Sequence, residues 1–341
     1  MTWLTWRQSR AQIIAAAAAL AVIAIILAVT GPHLASLYDT SGVATCQAHD
    51  NCDTVVTAFL DGLSKATVVL YFAGIAVMFL VPALIGLFWG APLVTREIEA
   101  RTLPLAWNQT VTPARWMAVK LAMGALTAMA AAGLLSLMLT WWSSPFDSAA
   151  AMGTSKLGLS RLGPVLFAAR GITPVGYAAF AFVLGVTAGV LIRRTIPAMA
   201  TTLAGFVVIQ VIWANWIRPA LIAPVHMITA LDPANIYLVR VRNNSMLISA
   251  TPSSGQQGAW VLSSQIIDKA GRPFQAAPPA GCPVNLHQCA AGIGSLHLRQ
   301  LITYQPASRY WTLQWYETAI FLAAAVALAG FCAWRVRHLA D

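Results

Sequence analysis

The stretch from Thr67 to Trp89 reads TVVLYFAGIAVMFLVPALIGLFW and contains no charged residue. A helix needs roughly 20 apolar residues to cross the hydrocarbon core of a bilayer, and this stretch is long enough. Lipid offers no partner for an unpaired backbone N–H or C=O group, so such a run must be helical. Five further runs approach the same length: Ile13–Val29, Met117–Trp142, Val175–Ile192, Ala198–Trp216 and Trp315–Trp334. The sequence therefore predicts an all-α integral membrane protein with six transmembrane helices.

The composition agrees with a membrane protein. Of the 341 residues, 58% are hydrophobic and only 9% are charged, whereas soluble domains carry about a quarter charged residues. The net charge of +10 raises the question of nucleic acid, but nucleic-acid binders gather their basic residues into a patch or stripe. Here the basic residues lie mostly at the ends of the apolar runs, which argues against nucleic acid as a partner.

The first apolar run has two interpretations. It could be a signal peptide, because Arg7 and Arg10 precede it and small residues follow it. Its apolar part is longer than the usual 7–15 residues of a signal peptide. Trp3 and Trp6 are also typical of interfacial anchors. We therefore expect a retained first span.

The basic residues of the short loops predict the orientation, because cytoplasmic loops are enriched in Lys and Arg. The loop between spans 1 and 2 has no Lys or Arg from Gly31 to Ser64. Basic residues lie instead next to the opposite ends of the apolar runs: Arg7, Arg10, Arg96, Arg101, Arg115, Lys120, Arg193, Arg194, Arg335 and Arg337. We therefore expect a multi-pass protein of the cytoplasmic (inner) membrane with both termini cytoplasmic. Between spans 3 and 4, Lys156, Arg161 and Arg170 argue mildly the other way.

The cysteines fit this orientation. Cys46 and Cys52 fall in the first outer loop and Cys282 and Cys289 in the last one, while Cys332 lies inside span 6. Disulfides persist in oxidising compartments, so the two outer pairs are disulfide candidates. Cys282, His287 and Cys289 could instead bind zinc, but a fourth ligand is not evident, and we favour a disulfide.

The segment between spans 5 and 6 is rich in Pro, Gly, Ser, Gln and Asn. We expect an irregular extracellular domain there, with β-prone stretches at Ile236–Val241 and Ala259–Ile267. The first outer loop predicts a short helix from Asp53, since Asp is a good N-cap residue.

Motifs of catalysis are missing from the sequence. It contains no G-x-x-x-x-G-K-[ST] phosphate loop, no H-E-x-x-H pair and no G-x-S-x-G elbow. Glu317 is the one candidate for a carboxylate inside the membrane. Proton-coupled carriers usually carry ionisable residues deep in their spans, and this chain has almost none, so we expect its energy to come from elsewhere. We predict no catalytic residue, no metal site and no cofactor bound by this chain.

The cytoplasmic segment Thr95–Lys120 has an apolar side formed by Leu103, Leu105, Trp107 and Trp116. Such a segment would lie at the membrane surface as one or two short helices, although a solvated loop with interface anchors fits equally well. Thr112 followed by Pro113 predicts the start of span 3.

Three stretches carry a resemblance to a known family: APLVTREIEARTLPLAWNQTVTPARWMAVK (Ala91–Lys120), RGITPVGYAAFAFVLGVTAGVLIRRTIPAMATTL (Arg170–Leu203) and YQPASRYWTLQWYETAIFL (Tyr304–Leu322). Together they resemble the permeases of type-2 ATP-binding-cassette exporters, particularly their actinobacterial branch. The family's Arg-Glu-x-Glu pattern is matched by Arg96, Glu97 and Glu99. Its following Gly-Thr is matched only by Thr102, because position 101 is Arg.

The resemblance implies a function and a set of partners. The chain would be the permease subunit of an exporter of lipophilic small molecules, such as a drug, an antibiotic or a lipid. A separate ATPase subunit would bind ATP-Mg and dock on a cytoplasmic coupling helix between spans 2 and 3, and a second copy or a sister permease would complete the pore. The implied coupling residues are Arg96, Glu97, Glu99, Thr102 and Arg115; Glu97 and Glu99 could instead pair internally with Arg96 and Arg101.

The resulting segments are 1–30 (N-terminus and span 1), 31–64 (outer loop), 65–92 (span 2), 93–116 (coupling segment), 117–142 (span 3), 143–173 (outer loop), 174–217 (spans 4 and 5), 218–310 (extracellular domain) and 311–341 (span 6 and cytoplasmic tail).

Several residues of the spans keep two interpretations. The candidates for a substrate path are Phe72, Met78, Phe79, Gln210 and Asn215. Lipid contact is the default for the apolar ones, and Gln210 could equally join two helices. The motifs Gly86-xxx-Gly90 and Gly185-xxx-Gly189 allow close helix approach, either within the chain or in a dimer, and Pro82 predicts a kink.

Two other functions stay open at this point. A membrane scaffold or sensor would bind a cytoplasmic partner without transport. A membrane enzyme would need an active site in the outer domain, where the candidates are His226, Asp232, His287 and His297.

Overall fold

The computed structural model describes residues 2–46, 52–99, 113–152, 160–242, 245–250, 258–274, 293–294 and 296–340. Six helices in this part of the chain are long and apolar enough to cross a membrane. In chain order these spans 1 to 6 are Arg10–Thr40, Lys65–Glu99, Arg115–Trp142, Thr173–Ile192, Thr195–Ala220 and Ala307–His338. The prediction of a helical protein with six spans is confirmed.

The individual helices are as follows. The first half contains α1 (Thr2–Thr40), α2 (Asp53–Asp61), α3 (Lys65–Ile85), α4 (Pro92–Glu99) and α5 (Pro113–Trp142). The second half contains α6 (Ser144–Met152), α7 (Pro164–Ala168), α8 (Thr173–Ile192), α9 (Thr195–Ile212), α10 (Arg218–Ala220) and α11 (Tyr310–Ala340). Short 3₁₀ turns lie at Val43–Thr45, Pro233–Asn235 and Ala307–Arg309.

The helix starts follow local chemistry. Ser64 is the N-cap of α3, and its hydroxyl accepts a hydrogen bond from the backbone N–H of Thr67 at 3.1 Å. α5 begins at Pro113, which is the predicted place, because a helix does not need an N–H group in its first turn. The predicted short helix α2 is present, but its N-cap residue is Cys52 rather than Asp53.

The helix of span 2 changes its winding after Pro82. Residues Gly86–Gly90 form a π-helical turn, and the N–H of Ala91 donates to the carbonyl oxygen of Gly86 at 2.9 Å. The chain then continues into α4. Proline removes one backbone donor, and the irregularity appears one turn beyond Pro82. A second π-helical turn at Trp213–Ile217 lies near the end of span 5.

The two glycine motifs join spans 2 and 4 of the same chain. A methyl group added at Gly185 would lie 2.3 Å from the carbonyl oxygen of Gly86, and one added at Gly90 would lie 2.3 Å from that of Phe182. These helices approach each other so closely that no side chain fits between them. The motifs therefore serve packing within the chain, and span 4 is the most buried of the six spans.

One apolar cluster lies at the end of the bundle where α2 and α6 are found. It contains Phe59, Tyr71, Trp142 and Phe146, and the rings of Tyr71 and Phe146 are 4.5 Å apart. Cys46 and Cys52 form a disulfide beside it, with a Cα–Cα distance of 6.1 Å. Cys332 is a buried free cysteine. Cys282, His287 and Cys289 lie outside the described residues.

Residues 160–162 and 219–309 form a second compact unit. Its described part contains two small antiparallel sheets. In one of them β5 (Arg299–Gln305) lies between β1 (Val225–Ala230) and β4 (Trp260–Ile267); the other pairs β2 (Ile236–Arg242) with β3 (Ser245–Ala250). The two β-prone stretches are therefore strands, and regular sheets replace the irregular structure predicted for these residues.

Candidate functional site

The helix α4 is amphipathic and lies within the predicted coupling segment. Pro92, Val94 and Thr95 are buried, while Arg96 and Glu99 are exposed. The buried side contacts span 4 at Gly189, where an added methyl group would lie 2.8 Å from the carbonyl oxygen of Ala91 and 3.1 Å from Thr95 Cγ2. Span 4 therefore holds α4 against the bundle by direct contact with its backbone.

Glu97 joins α4 to span 3. Its carboxylate forms an ion pair with the ammonium group of Lys120. Lys120 is buried along its length, and its Nζ lies 4.3 Å from the centre of the Trp116 ring. Both the ion pair and the ring face stabilise the ammonium group.

Glu99 joins α4 to the beginning of span 5. Its Oε1 accepts a hydrogen bond from the backbone N–H of Thr195 at 2.8 Å, and its Oε2 accepts from Thr195 Oγ1 at 2.8 Å. Thr195 is the first residue of α9, whose N-cap residue Arg194 makes no capping hydrogen bond with its side chain. A carboxylate of another helix therefore supplies the acceptor and the negative charge that a helix N-terminus favours.

The link between spans 4 and 5 is short. α8 ends at Ile192 and α9 begins at Thr195. Arg193 has a left-handed backbone with φ of 59°, and its N–H donates to the carbonyl oxygen of Gly189 at 3.0 Å. A helix commonly ends on such a residue. Thr195 is therefore held close to α4 by both the link and Glu99.

The predicted coupling residues fall into three groups. Glu97 and Glu99 have intramolecular partners, Lys120 and Thr195, which differ from the internal pairing with Arg96 and Arg101 considered above. Arg96 and Arg115 are exposed. Thr102, like Arg101, lies outside the described residues.

A second polar network lies at the opposite end of the spans. Arg218 donates from Nε to Glu317 Oε2 at 2.8 Å and from Nη2 to Glu317 Oε1 at 2.7 Å. The hydroxyl group of Tyr177 donates a hydrogen bond to Glu317 Oε1, and Arg218 Nη1 donates to the carbonyl oxygen of Pro164 at 3.1 Å. The Arg218 and Glu317 side chains are both 0% exposed. This network joins spans 4, 5 and 6.

A hydrogen-bonded amide holds the neighbouring turn before span 4. Gln314 Oε1 accepts from the N–H groups of Ile172 and Thr173, at 2.9 and 3.0 Å. Its Nε2 donates to the carbonyl oxygens of Phe167 and Arg170, both at 3.1 Å. The Gln314 side chain thus satisfies two backbone N–H groups at the start of α8, where a helix has no partners of its own for them, and two carbonyl groups of the preceding turn.

Arg170 belongs to the interior. It is 3% exposed, and its Nη1 donates to the carbonyl oxygen of Leu139 at 2.8 Å. A buried arginine of this kind does not act as a loop charge, so Arg170 no longer argues against the predicted orientation.

Sequence reasoning named Glu317 but missed Arg218 and Thr195. Arg218 directly follows the apolar run of span 5, and Glu317 lies near the start of span 6. Consecutive antiparallel helices bring these two positions to the same level, which was an available signal. Thr195 directly follows the arginine pair that ends span 4, and Thr is a common residue at helix starts.

The candidates for a substrate path differ in their exposure. Met78 is buried in the apolar cluster, whereas Phe72 and Phe79 are exposed. Asn215 is exposed and donates to the carbonyl oxygen of Val211 in its own helix at 2.8 Å. Gln210 is half-buried, and its Nε2 has no hydrogen-bond partner in the described part of the chain.

Among the candidates for an active site in the second unit, His226 lies apart from Asp232 and His297. His226 lies near the start of β1, opposite Thr303, and Asp232 follows the other end of that strand. His297 precedes β5 at the Asp232 end, and His287 lies outside the described residues. Among the residues that the structure describes, no group of three His, Cys, Asp or Glu side chains could hold a metal ion.

A comparison with known protein families gives one match. The family model described as "ABC-2 membrane transporter related" matches residues 17–218, which is more than half of the chain and covers most of span 1, spans 2 to 4 with α4, and span 5 as far as Arg218. No curated protein and no solved structure matches the chain. The chain therefore belongs to the ABC-2 membrane transporter related family.

Proposed function

We propose that the chain is the permease subunit of an ATP-driven exporter whose ATPase is a separate subunit. Its family makes it a multi-pass membrane component of a transporter rather than a catalyst. The finer proposal is that the ATPase subunit binds ATP-Mg and docks on α4, while this chain binds no cofactor. A second copy of the chain, or a sister permease, completes the transporter. The resemblance of three stretches supports a place in the actinobacterial branch.

The observation that carries this proposal is the set of contacts made by α4. It follows directly from span 2 and reaches spans 3, 4 and 5 through Lys120, Gly189 and Thr195. A force applied to one short helix is thereby applied to four spans. Rigid contacts of this kind are required, because a ligand shifts a protein between states only through interactions that differ in the two states.

The roles of the coupling residues follow from their surroundings. Arg96 and Arg115 are exposed, and they provide the charged contacts with the ATPase. Glu97 and Glu99 transmit the movement inside the chain, Glu97 to span 3 and Glu99 to span 5. Thr102 keeps its place in the docking segment by its match to the family pattern.

The orientation in the membrane is supported by the charges at the two ends. Arg10, Arg96, Arg115, Arg193 and Arg335 all lie at the α4 end of the spans, which is the cytoplasmic end by the distribution of basic residues. The disulfide between Cys46 and Cys52 lies at the opposite end, where an oxidising compartment preserves it. Both termini are then cytoplasmic, and the membrane is the inner one.

The proposed substrates are lipophilic small molecules, such as a drug, an antibiotic or a lipid. The support is the apolar exposed surface of span 2, which includes Phe72 and Phe79. Such a surface would offer a lipophilic molecule a path along the pore between two copies, with Gln210 and Asn215 of span 5 as its polar groups.

The test is purification of the chain from detergent together with its soluble partner. We expect an ATP-binding-cassette ATPase to co-purify, and the variants Arg96→Ala and Arg115→Ala to reduce the amount recovered. Arg272→Ala is the control, since Arg272 is also exposed but lies in the second unit, away from α4 in the sequence. A chain that purifies alone and supports no ATP hydrolysis would contradict the proposal and favour a scaffold or sensor.

A further inference from the structure

Span 1 packs against the bundle unevenly. From Leu27 onward it is well held: Leu27 and Leu34 are buried, and Trp142 Nε1 donates to Thr30 Oγ1 at 2.9 Å. From Arg10 to Ile26, by contrast, no residue of the span is buried. The half of span 1 nearer the α4 end therefore stands slightly apart from spans 2 and 3.

A cavity of about 190 Å³ lies between this half of span 1 and spans 2 and 3. Its walls are hydrophobic side chains of all three spans, among them Ala16, Leu20, Val81, Phe88, Ala131 and Leu135. An apolar cavity of about 150 Å³ stays dry and accepts a benzene-sized ligand. This one has room for a short stretch of hydrocarbon, whereas an α-helix with a diameter of about 10 Å does not fit.

The polarity of the gap changes toward the α4 end. A second cavity of about 40 Å³ lies there and shares Trp89 with the first. It is lined by the polar side chains of Gln12, Lys120 and Thr127 as well as by apolar ones. We call these two neighbouring cavities, which share the Trp89 side chain, the cleft; its larger part is apolar and its smaller part is polar.

The charges around the polar end are mostly positive. Lys120 forms the ion pair with Glu97, and Glu99 is a second acid among the described residues of this end. The exposed cations among the described residues here include Arg10, Arg96 and Arg115, so the described basic residues outnumber the acidic ones. An occupant with an anionic polar group is favoured at this place by the net charge.

We propose that this cleft, between span 1 and spans 2 and 3, binds one acyl chain of an anionic phospholipid of the surrounding bilayer. The chain lies in the apolar cavity, and the phosphate lies at the level of Gln12 and Lys120. Hydrocarbon alone would make no use of the polar end, and a soluble ligand would leave the apolar walls unmatched. Binding needs neither ATP nor the ATPase subunit, so the proposal stands apart from the transport function.

The test is photo-crosslinking in vesicles. The purified chain is reconstituted with one of two photoreactive lipids, phosphatidylglycerol or phosphatidylcholine, each of which carries a diazirine on one acyl chain. The labelled peptides are then identified by mass spectrometry. We expect labelling of the peptides that contain Ala16–Ile23 and Val81–Trp89, several-fold stronger with phosphatidylglycerol. Equal labelling by the two lipids, or none in these peptides, would overturn the proposal.

Neighbouring alanines provide matched variants. Ala16→Leu combined with Ala131→Phe fills the cleft, whereas Ala17→Leu combined with Ala130→Phe adds the same atoms on exposed faces of the same helices. We expect the first pair to reduce the labelling several-fold and the second to leave it unchanged. Ala19→Leu, with Ala18→Leu as its control, repeats the comparison with a smaller change. Equal labelling in the filled and control variants would contradict the proposed site.

Discussion

The two ends of the helix bundle hold their charges in different ways. At one end, Arg218 and Glu317 form a two-point ion pair that is closed off from solvent, with Tyr177 beside it. At the α4 end, Glu97 is partly exposed in its pair with Lys120, and Glu99 is exposed in its contact with Thr195. If the Arg218–Glu317 pair separates, each side chain becomes an unpaired buried charge. If the contacts of Glu97 or Glu99 separate, water or another protein can take the place of the lost partner.

This difference suggests a division of mechanical roles. Separating a buried pair costs far more than separating an exposed one, because each charge left in the interior keeps its desolvation penalty. Spans 4, 5 and 6 are therefore locked together beside Arg218. At the α4 end, Glu97 and Glu99 join α4 to spans 3 and 5 through contacts that are partly open to water.

Removing one partner of the buried pair should have the largest effect. We expect Glu317→Gln to destabilise the protein by about 3–5 kcal/mol, because it leaves the Arg218 guanidinium buried without a counter-charge. Thermal unfolding in detergent measures the loss. The double variant Arg218→Met with Glu317→Leu should recover part of the stability. An unchanged unfolding temperature for Glu317→Gln would show that this end is not locked as described.

Adding one methyl group between spans 2 and 4 should have the next largest effect. We expect Gly185→Ala to destabilise the protein by about 1–3 kcal/mol, since the new methyl group would overlap the backbone at Gly86. Gly330→Ala in span 6 is the control, because an added methyl group there meets no atom within 4 Å. Equal unfolding temperatures of the two variants would contradict the close contact that also supports α4.

Changing the exposed network should affect coupling more than stability. We expect Glu99→Ala and Thr195→Ala each to lower transport per ATP hydrolysed while the unfolding temperature changes little, because Glu99 is exposed. The measurement is ATPase activity and substrate efflux in the same proteoliposomes. If the two residues act through their contact, the double variant should be no worse than either single one; additive losses would speak against transmission through this pair.

The smallest effect is expected at an exposed ion pair of the second compact unit, between Asp268 and Arg272. The backbone N–H of Arg272, and then its guanidinium group, lower the pKa of Asp268 below its usual range. A lowered folded-state pKa stabilises the protein above the unfolded pKa of about 3.9, and this contribution is lost as the pH falls through the folded value.

We therefore expect Asp268→Asn to lower the unfolding temperature slightly at pH 7, with the difference from the parent protein closing below about pH 4. Thermal unfolding of both proteins at a series of pH values from about 7 to below 4 measures this difference. A loss at pH 7 as large as that of Glu317→Gln would remove the contrast between buried and exposed pairs.

Much of the fold was predictable because it depends on local pattern. Six apolar runs of sufficient length became the six spans, and Pro113 became the start of α5, since both signals act within a single helix. The β-prone stretches near Ile236 and Ala259 likewise became strands. The glycine motifs predicted close approach but not which helix would be approached.

The sequence by itself thus determined the number of membrane-spanning helices, their places along the chain and the small residues that allow close contact. The tertiary structure decided the partners. Glu99 contacts Thr195 at a separation of 96 residues, and Arg218 contacts Glu317 at a separation of 99. Hydrophobic periodicity is set by neighbours along the chain, whereas such pairs depend on how whole helices pack, and no local pattern records that.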